Sequence, residues 1–316
     1  MLFSNDTTHR HRRGPMTPAF AFKMIAEIRP QIRALADKIL REGYADGQMD
    51  FLQTYASSIP ARTIAAIFGI PDSDISRFTR SIYTIAKAIG ASWSAKDLPE
   101  IDQAVVDMHN YVEELLADRR RNPRNDFLSE YIGIVERQGV LTSFEAITQI
   151  ITIVLGGSDT TRMAMAMQVC LLLEHPEQWN AIVEDRGLIP NAVLESLRFE
   201  PSVASIPRFT VEDIEIDGHF IPKDQPIALS TMSAMRDAAI YPAGDTFDIR
   251  RTHPKWHLVF GSGAHRCIGE ALAKAELEEG LAALVEIMPS LRLVGPRPIA
   301  SGFAGIRSVT DMTVEW

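Results

Sequence analysis

Apolar residues recur at helical spacing through the first two thirds of the chain. Met24, Ile28, Ile32, Leu35 and Ile39 form one stripe, and Phe51 to Ile70 forms another. Breaks fall at Gly43, Asp46-Gly47, Ile70-Pro71-Asp72, Gly90 and Asn122-Pro123. The longest apolar helical pattern runs from Leu141 to Leu173, with Thr142 or Ser143 as its cap and Glu145 close by as a capping partner. A short helix is expected over Pro190 to Phe199. Between Pro201 and Thr231 the period shortens. Val211, Ile214 and Ile216 lead to Asp217-Gly218, a hairpin signal, followed by His219 to Ile221 and Pro226 to Leu229. Asp237 to Pro254 reads as irregular, Glu270 to Ile287 as an amphipathic helix, and Leu291 to Trp316 as closing strands. The pattern predicts a mainly α fold with small β-sheets (α+β). It forms one domain over 1–316, helix-rich over 1–200 and mixed strand and loop over 201–316.

Composition narrows the function classes. Hydrophobic residues are 46% and charged residues 23% of the 316, ordinary values for a protein with a sizeable core. A net charge of −9 argues against nucleic-acid binding. Cys170 and Cys267 are the two cysteines, too few for a disulfide framework, which suits a reducing compartment. No apolar run reaches a membrane span, and MLFSNDTTHRHRR has no apolar segment of signal-peptide type. The expectation is a soluble cytoplasmic protein.

Chemistry concentrates at Phe260 to Gly269, FGSGAHRCIG. Cys267 is expected where a glycine-rich turn becomes a helix, so that unpaired N–H groups and the helix dipole favour thiolate, with His265 and Arg266 adding positive charge. Gly261 and Gly263 permit unusual turn conformations, and Gly269 leaves room for a flat partner. A reactive cysteine, a redox thiol, a haem-thiolate loop or a buried structural cysteine would each suit these residues.

Three other groups stand out. His9 and Arg13, four apart, share one helix face that could hold carboxylates, though a basic terminus is often only a solvated arm. Gly156-Gly157-Ser158-Asp159-Thr160-Thr161 interrupts the longest helix with two residues costing about 1 kcal/mol each against alanine. The helix could bend there with its polar groups bonded to backbone, or open a groove into which Asp159 and Thr160 pass protons. Glu195 and Arg198 lie one helical turn apart and alone would pass for a surface pair. Cys170 reads as packing, and Arg119 to Arg121 as a solvated helix end.

Phe-x-x-Gly-x-His-x-Cys-x-Gly, over Phe260 to Gly269, resembles the haem-binding signature of the cytochromes P-450. The other groups resemble further motifs of that family, in its order, and the likeness covers nearly the whole chain. It implies haem b with Cys267 as iron ligand, Phe260, Gly261, His265 and Gly269 beside it, and His9, Arg13 and Arg208 at the propionates. Gly156 then belongs to the groove and Asp159 and Thr160 to oxygen activation, while Glu195 and Arg198 fix the core behind the haem. The implied function is insertion of one oxygen atom of dioxygen into a small or medium apolar organic substrate. Electrons would come from a ferredoxin or flavodoxin with its reductase, docking on a basic patch of Arg10, Arg12, Arg266 and Lys274.

Two departures qualify the likeness. The family commonly has an arginine just before the phenylalanine that Phe247 matches, completing a triad with the Glu-x-x-Arg pair; this chain has Thr246, and Arg250 or Arg251 would have to substitute. The family also carries roughly a fifth more chain before the His9–Arg13 helix. Its lack is expected to leave the strands near Phe220 and Ile227 with an exposed edge and the distal pocket open. Such a chain could instead be a truncated, non-catalytic haem-binding remnant or a gene-model fragment. A cysteine hydrolase or redox enzyme using Cys267, and a peroxygenase, are the remaining rivals; Asp159-Thr160 suits oxygen activation better than the last.

Overall fold

The computed structural model describes residues 4–89, 93–255, 257–302 and 305–316. The expected break at Gly90 lies outside these residues. Eleven α-helices and nine short strands occur among the described residues. The helices are α1 (Asp6–Arg13), α2 (Phe22–Gly43), α3 (Ser58–Ile67), α4 (Ile75–Ile89), α5 (Leu98–Arg121), α6 (Phe127–Gln138), α7 (Ser143–Glu174), α8 (Pro176–Glu184), α9 (Ile189–Phe199), α10 (Thr231–Ala234) and α11 (Glu270–Ile287). None is long and apolar enough to cross a membrane.

α7 is the axis of the helical part and is in contact with α3, α4, α5, α9 and α11. Its start is fixed by a reciprocal cap. The Glu145 N–H donates to Thr142 Oγ1 at 3.2 Å and the Thr142 N–H to Glu145 Oε2 at 3.0 Å, an arrangement worth about 1 kcal/mol. The helix runs unbroken through Gly156 and Gly157. Apolar side chains on both sides of it, such as Val154, Met165, Val169 and Leu172, enter the core, and Cys170 is fully buried among them. α11 also comes close to α7. A Cβ added at Gly280 would stand 3.1 Å from Met165 Cε, so only glycine leaves that side chain its present place.

The strands are β1 (Gln48–Asp50), β2 (Ser205–Phe209), β3 (Ile214–Ile216), β4 (His219–Ile221), β5 (Pro226–Ser230), β6 (Arg292–Val294), β7 (Ala300–Ser301), β8 (Ser308–Val309) and β9 (Thr313–Glu315). β1, β9 and β6 form an antiparallel sheet, with β9 between the other two. The periodicity did not predict β1, because its three residues acquire strand geometry only by pairing with β9. β3 and β4 form the expected hairpin, with positive φ at Asp217 and Gly218. β2 and β5 pair only with each other among the described residues; Phe209 and Leu229 are exposed on them, and Phe220 is exposed on β4.

Arg119 is not solvated as its sequence suggests. It is buried, donating to Asp118 at 2.7 Å, to Asp126 at 2.6 Å and to the Gly69 carbonyl at 3.1 Å. A run of three arginines does not show which one has carboxylates waiting from other elements.

Candidate active site

The loop before α11 closes on itself through the Cys267 N–H, which donates to the Phe260 carbonyl at 2.8 Å. Gly261 and Gly263 both hold positive φ, at 70° and 65°, which lets the chain reverse there without a Cβ clash. A Cβ at Gly269 would lie 3.9 Å from Cys267 Sγ and 4.0 Å from Phe20, an ordinary contact, so the demand for glycine there comes from whatever occupies the open side. Phe260 is half-buried, with the Lys274 ammonium 5.4 Å from its ring centre.

Two expectations for Cys267 need correction. It lies three residues before α11, not in the first helical turn, so its sulfur meets one N–H, from Gly269, and not a helix end. Nor do the protein surroundings alone make it a thiolate. Desolvation pushes the thiol up, aided by Glu270; the Gly269 N–H, Arg13 and Arg266 pull the other way and are outweighed. The residue is nonetheless exposed, because its open side faces out of the crowded loop. A cation bound on that side is what would favour the charged sulfur.

Beside this sulfur the structure collects positive charge. α1 places His9 against His265, ring centres 4.2 Å apart, and His265 Nε2 lies 3.3 Å from Asn5 Oδ1. Arg13 donates to the Arg266 carbonyl at 2.7 Å, joining α1 to the cysteine loop. Arg12 joins α1 to the start of α7 through Glu145 at 2.7 Å. Burial, His265 and Arg13 lower the pKa of His9; burial, Arg208 and Arg13 lower that of His265. His9, Arg13 and His265 therefore lie together, with Arg208 near enough to act on His265. No carboxylate is among the causes acting on either histidine, and His9 Nε2 is buried without a partner. An anionic group with several acceptor oxygens would satisfy that atom and reverse the repulsion. Haem, with iron for the sulfur and two propionates for the cations, fits both halves of the site.

α7 supplies another wall. Gly156 is exposed, and space beside it is open. At Gly157 an added Cβ would meet Ile64 Cδ1 at 3.0 Å. The Thr160 hydroxyl donates to the Gly156 carbonyl at 2.7 Å, and the Thr160 carbonyl accepts from Ser202 at 2.8 Å. Asp159 is buried and clamped by Arg162, with Nε 3.0 Å and Nη2 2.5 Å from Oδ1. Arg162 stacks 4.5 Å over the Tyr83 ring, whose hydroxyl is committed to the Ser57 carbonyl at 2.8 Å. The clamp was not expected, although Asp159 and Arg162 stand three apart on one helix, a spacing that could have marked it.

Glu195 and Arg198 are both buried, not a surface pair. Arg198 grips Glu195 at 2.7 and 2.8 Å and also donates to the Met235, Gly244 and Thr246 carbonyls. The third member is Arg251, whose Nε lies 3.2 Å from Glu195 Oε1. Its other nitrogens hold the Pro242, Ala243 and Thr246 carbonyls at 2.6, 3.0 and 2.8 Å. Thr246 enters only through its carbonyl. The four residues between Thr246 and Arg251 carry that arginine back to the same carboxylate from another direction.

Three of the four residues of the expected basic patch are in ion pairs. Arg266 and Lys274 both pair with Glu270, at 2.8 Å each, and Arg12 is committed to Glu145. Of the four, only Arg10 is left without a carboxylate, and it donates to Thr7.

Comparison with known proteins agrees with this geometry. The profile described as "Cytochrome P450" matches residues 1–287. The chain is 41% identical to the plant-inducible cytochrome P450-pinF1 of Rhizobium radiobacter over 315 residues, covering all of this chain and 75% of that one. It is 32% identical to the nocardicin C N-oxygenase of Nocardia uniformis subsp. tsuyamanensis, covering all of this chain and 79% of the relative. The crystal structure of P450BioI with an acyl-carrier-protein-linked hexadecenoic acid superposes with a TM-score of 0.92 at 31% identity, over all of this chain and 81% of that one. Fold, profile and relatives converge: the chain belongs to the cytochrome P450 family, a P450 monooxygenase whose cofactor is haem b.

Proposed function

We propose that Cys267 Sγ would hold the haem iron and that the α7 segment around Asp159 and Thr160 is the oxygen-activating wall. The observation that carries this is the pairing of one open sulfur with an uncompensated cluster of His9, Arg13, His265 and Arg208. Haem, when bound, supplies dioxygen binding and O–O cleavage, with electron density from the thiolate.

The chain's own residues orient, hold and move protons around that group. His9, Arg13, His265 and Arg208 bind the propionates, each by a charge-assisted hydrogen bond. Phe260 and Gly261 shape the loop that presents the sulfur, and Gly269 keeps the adjoining face flat. The Thr160 hydroxyl, its proton held by the Gly156 carbonyl, offers lone pairs to the cavity and can release its proton only by leaving that carbonyl. Both Arg162 bonds to Asp159 end on Oδ1; Oδ2 takes up a proton and hands it toward Thr160. Glu195, Arg198 and Arg251 act at a distance, keeping the meander behind the loop rigid.

The substrate is a small or medium apolar organic molecule, and electrons arrive from a separate ferredoxin or flavodoxin with its reductase. Likeness to a bacterial P450 family supports the separate electron donor. Turnover under labelled dioxygen with a ferredoxin and its reductase tests them. One labelled atom should enter each product molecule; product formed without label would overturn the reading.

A further inference from the structure

The segment after α9 ties two walls of the site together. Ser202 Oγ donates to the Thr160 carbonyl at 2.8 Å, and Ile206 Cδ1 lies 3.9 Å from where a Cβ would stand at Gly261 of the cysteine loop. Residues 202–206 therefore span from α7 to the loop that carries the sulfur. Ser202, Ala204 and Ser205 are buried along that span, whereas Val203 and Ile206 stay half-buried. Val203 bridges to Ile306, also half-buried, in the connection from β7 to β8. An apolar pair left partly open beside Thr160 is where a bound apolar molecule would find contact.

The connection that carries Ile306 is not stiff by itself. Gly302 and Gly305 both hold positive φ, at 96° and 91°, and glycine gives up the most conformational freedom when it is fixed. The restraint comes from behind. The Ala204 N–H donates to the Gly305 carbonyl at 2.9 Å, and the Arg307 N–H to the Ser202 carbonyl at 2.8 Å. The Arg307 side chain is buried. Its Nη1 meets Glu200 Oε2 at 2.5 Å and the Pro201 carbonyl at 3.4 Å, and its Nη2 the Ala300 carbonyl at 3.3 Å. One guanidinium thus joins the residues just past α9 to β7. Glu200 is its only carboxylate partner among the described residues, so moving the connection away would leave a buried charge uncompensated.

We infer that Arg307 is a positioning residue: latched to Glu200, it fixes Val203 and Ile306 against Thr160 and so sets how an apolar substrate lies at the reacting centre. Arg307 acts through those two side chains and touches no substrate. The latch rests on the proposed haem pocket between Cys267 and α7.

Two nitrogen ligands of iron separate the latch from the pocket. Imidazole reports on the iron alone, and 4-phenylimidazole adds a ring that must settle against the walls. Both should shift the haem absorption band when titrated into the haem-loaded parent. In Arg307→Ala the dissociation constant of 4-phenylimidazole should rise about tenfold while that of imidazole changes less than about twofold. Ile306→Ala, which removes the wall itself, should move the ratio of the two constants in the same direction. Arg307→Lys, which keeps the charge, should recover part of the parental ratio. If Arg307→Ala does not fold, Glu200→Gln, which keeps the shape and removes the countercharge, should raise the ratio in its place. A denaturation midpoint that falls while the ratio stays parental would show a merely structural arginine and overturn the latch alone. A parent whose spectrum does not respond to imidazole would overturn the haem pocket and the latch with it.

Discussion

Arg251 Nε lies 3.2 Å from Glu195 Oε1, across 56 residues of sequence. Glu195 thus meets a cation on its own helix, Arg198, and one from the meander. Arg251→Ala removes one charged contact and three carbonyl bonds while Arg198 still neutralises the carboxylate. The expected loss is about 1.5–3 kcal/mol, read from the shift of a denaturation midpoint. Glu195→Gln leaves two buried guanidinium groups short of charge and should cost about 3–5 kcal/mol. Equal midpoints for parent and Arg251→Ala would show that Arg251 contributes nothing to the meander.

The cation cluster predicts haem retention. Arg13→Ala and His9→Ala each delete one charge-assisted contact, and haem loss to an excess of a scavenging globin should accelerate about ten- to a hundredfold. Arg13→Ala should have the larger effect, because it also frees α1 from the Arg266 carbonyl. Arg10→Ala, outside the cluster, should lose haem at the parental rate.

Asp159 and Arg162 should separate proton delivery from clamping. Asp159→Asn keeps the shape but removes the carboxylate, and product formation should fall about a hundredfold with electrons diverted to peroxide. Arg162→Ala keeps the carboxylate and should lose less, while Tyr83 becomes more accessible as its stacked guanidinium is removed. Steady-state product and peroxide yields distinguish the two.

His257 predicts a limb of acid sensitivity. Burial, with Lys274 assisting, pushes it down to about 4, below the ordinary 6.5. Between those values the unfolded chain takes up a proton that the folded one refuses, so stability is lost as pH falls from 6.5 toward 4. His257→Gln should flatten that part of a plot of unfolding free energy against pH. A slope identical to the parent would assign the limb to other groups.

The sequence showed α7, α11 and the β3–β4 hairpin closely, because each states its own period, cap or turn. It also singled out Cys267, His9, Arg13, Asp159 and Glu195, though only through the resemblance of their motifs, in order, to those of a known family. It could not show β1, whose strand geometry depends on β9, or which of Arg250 and Arg251 reaches Glu195. The burial of Arg119, the stacking of Arg162 on Tyr83 and the isolation of Glu276 all come from helices that meet only in three dimensions. The expectation of a helix end at Cys267 failed for a related reason. A glycine-rich loop before a helix suggests a dipole at the sulfur, but the chain sets Cys267 outside the helix and crowds it.

The central claim is that Cys267 holds the iron through a thiolate. The reduced, carbon-monoxide-bound spectrum of the haem-loaded protein tests it most directly, with Cys267→Ser alongside. The parent should show the red-shifted Soret band of thiolate coordination and the variant should lose it. A parental spectrum without that band, or the same band in Cys267→Ser, would contradict the account.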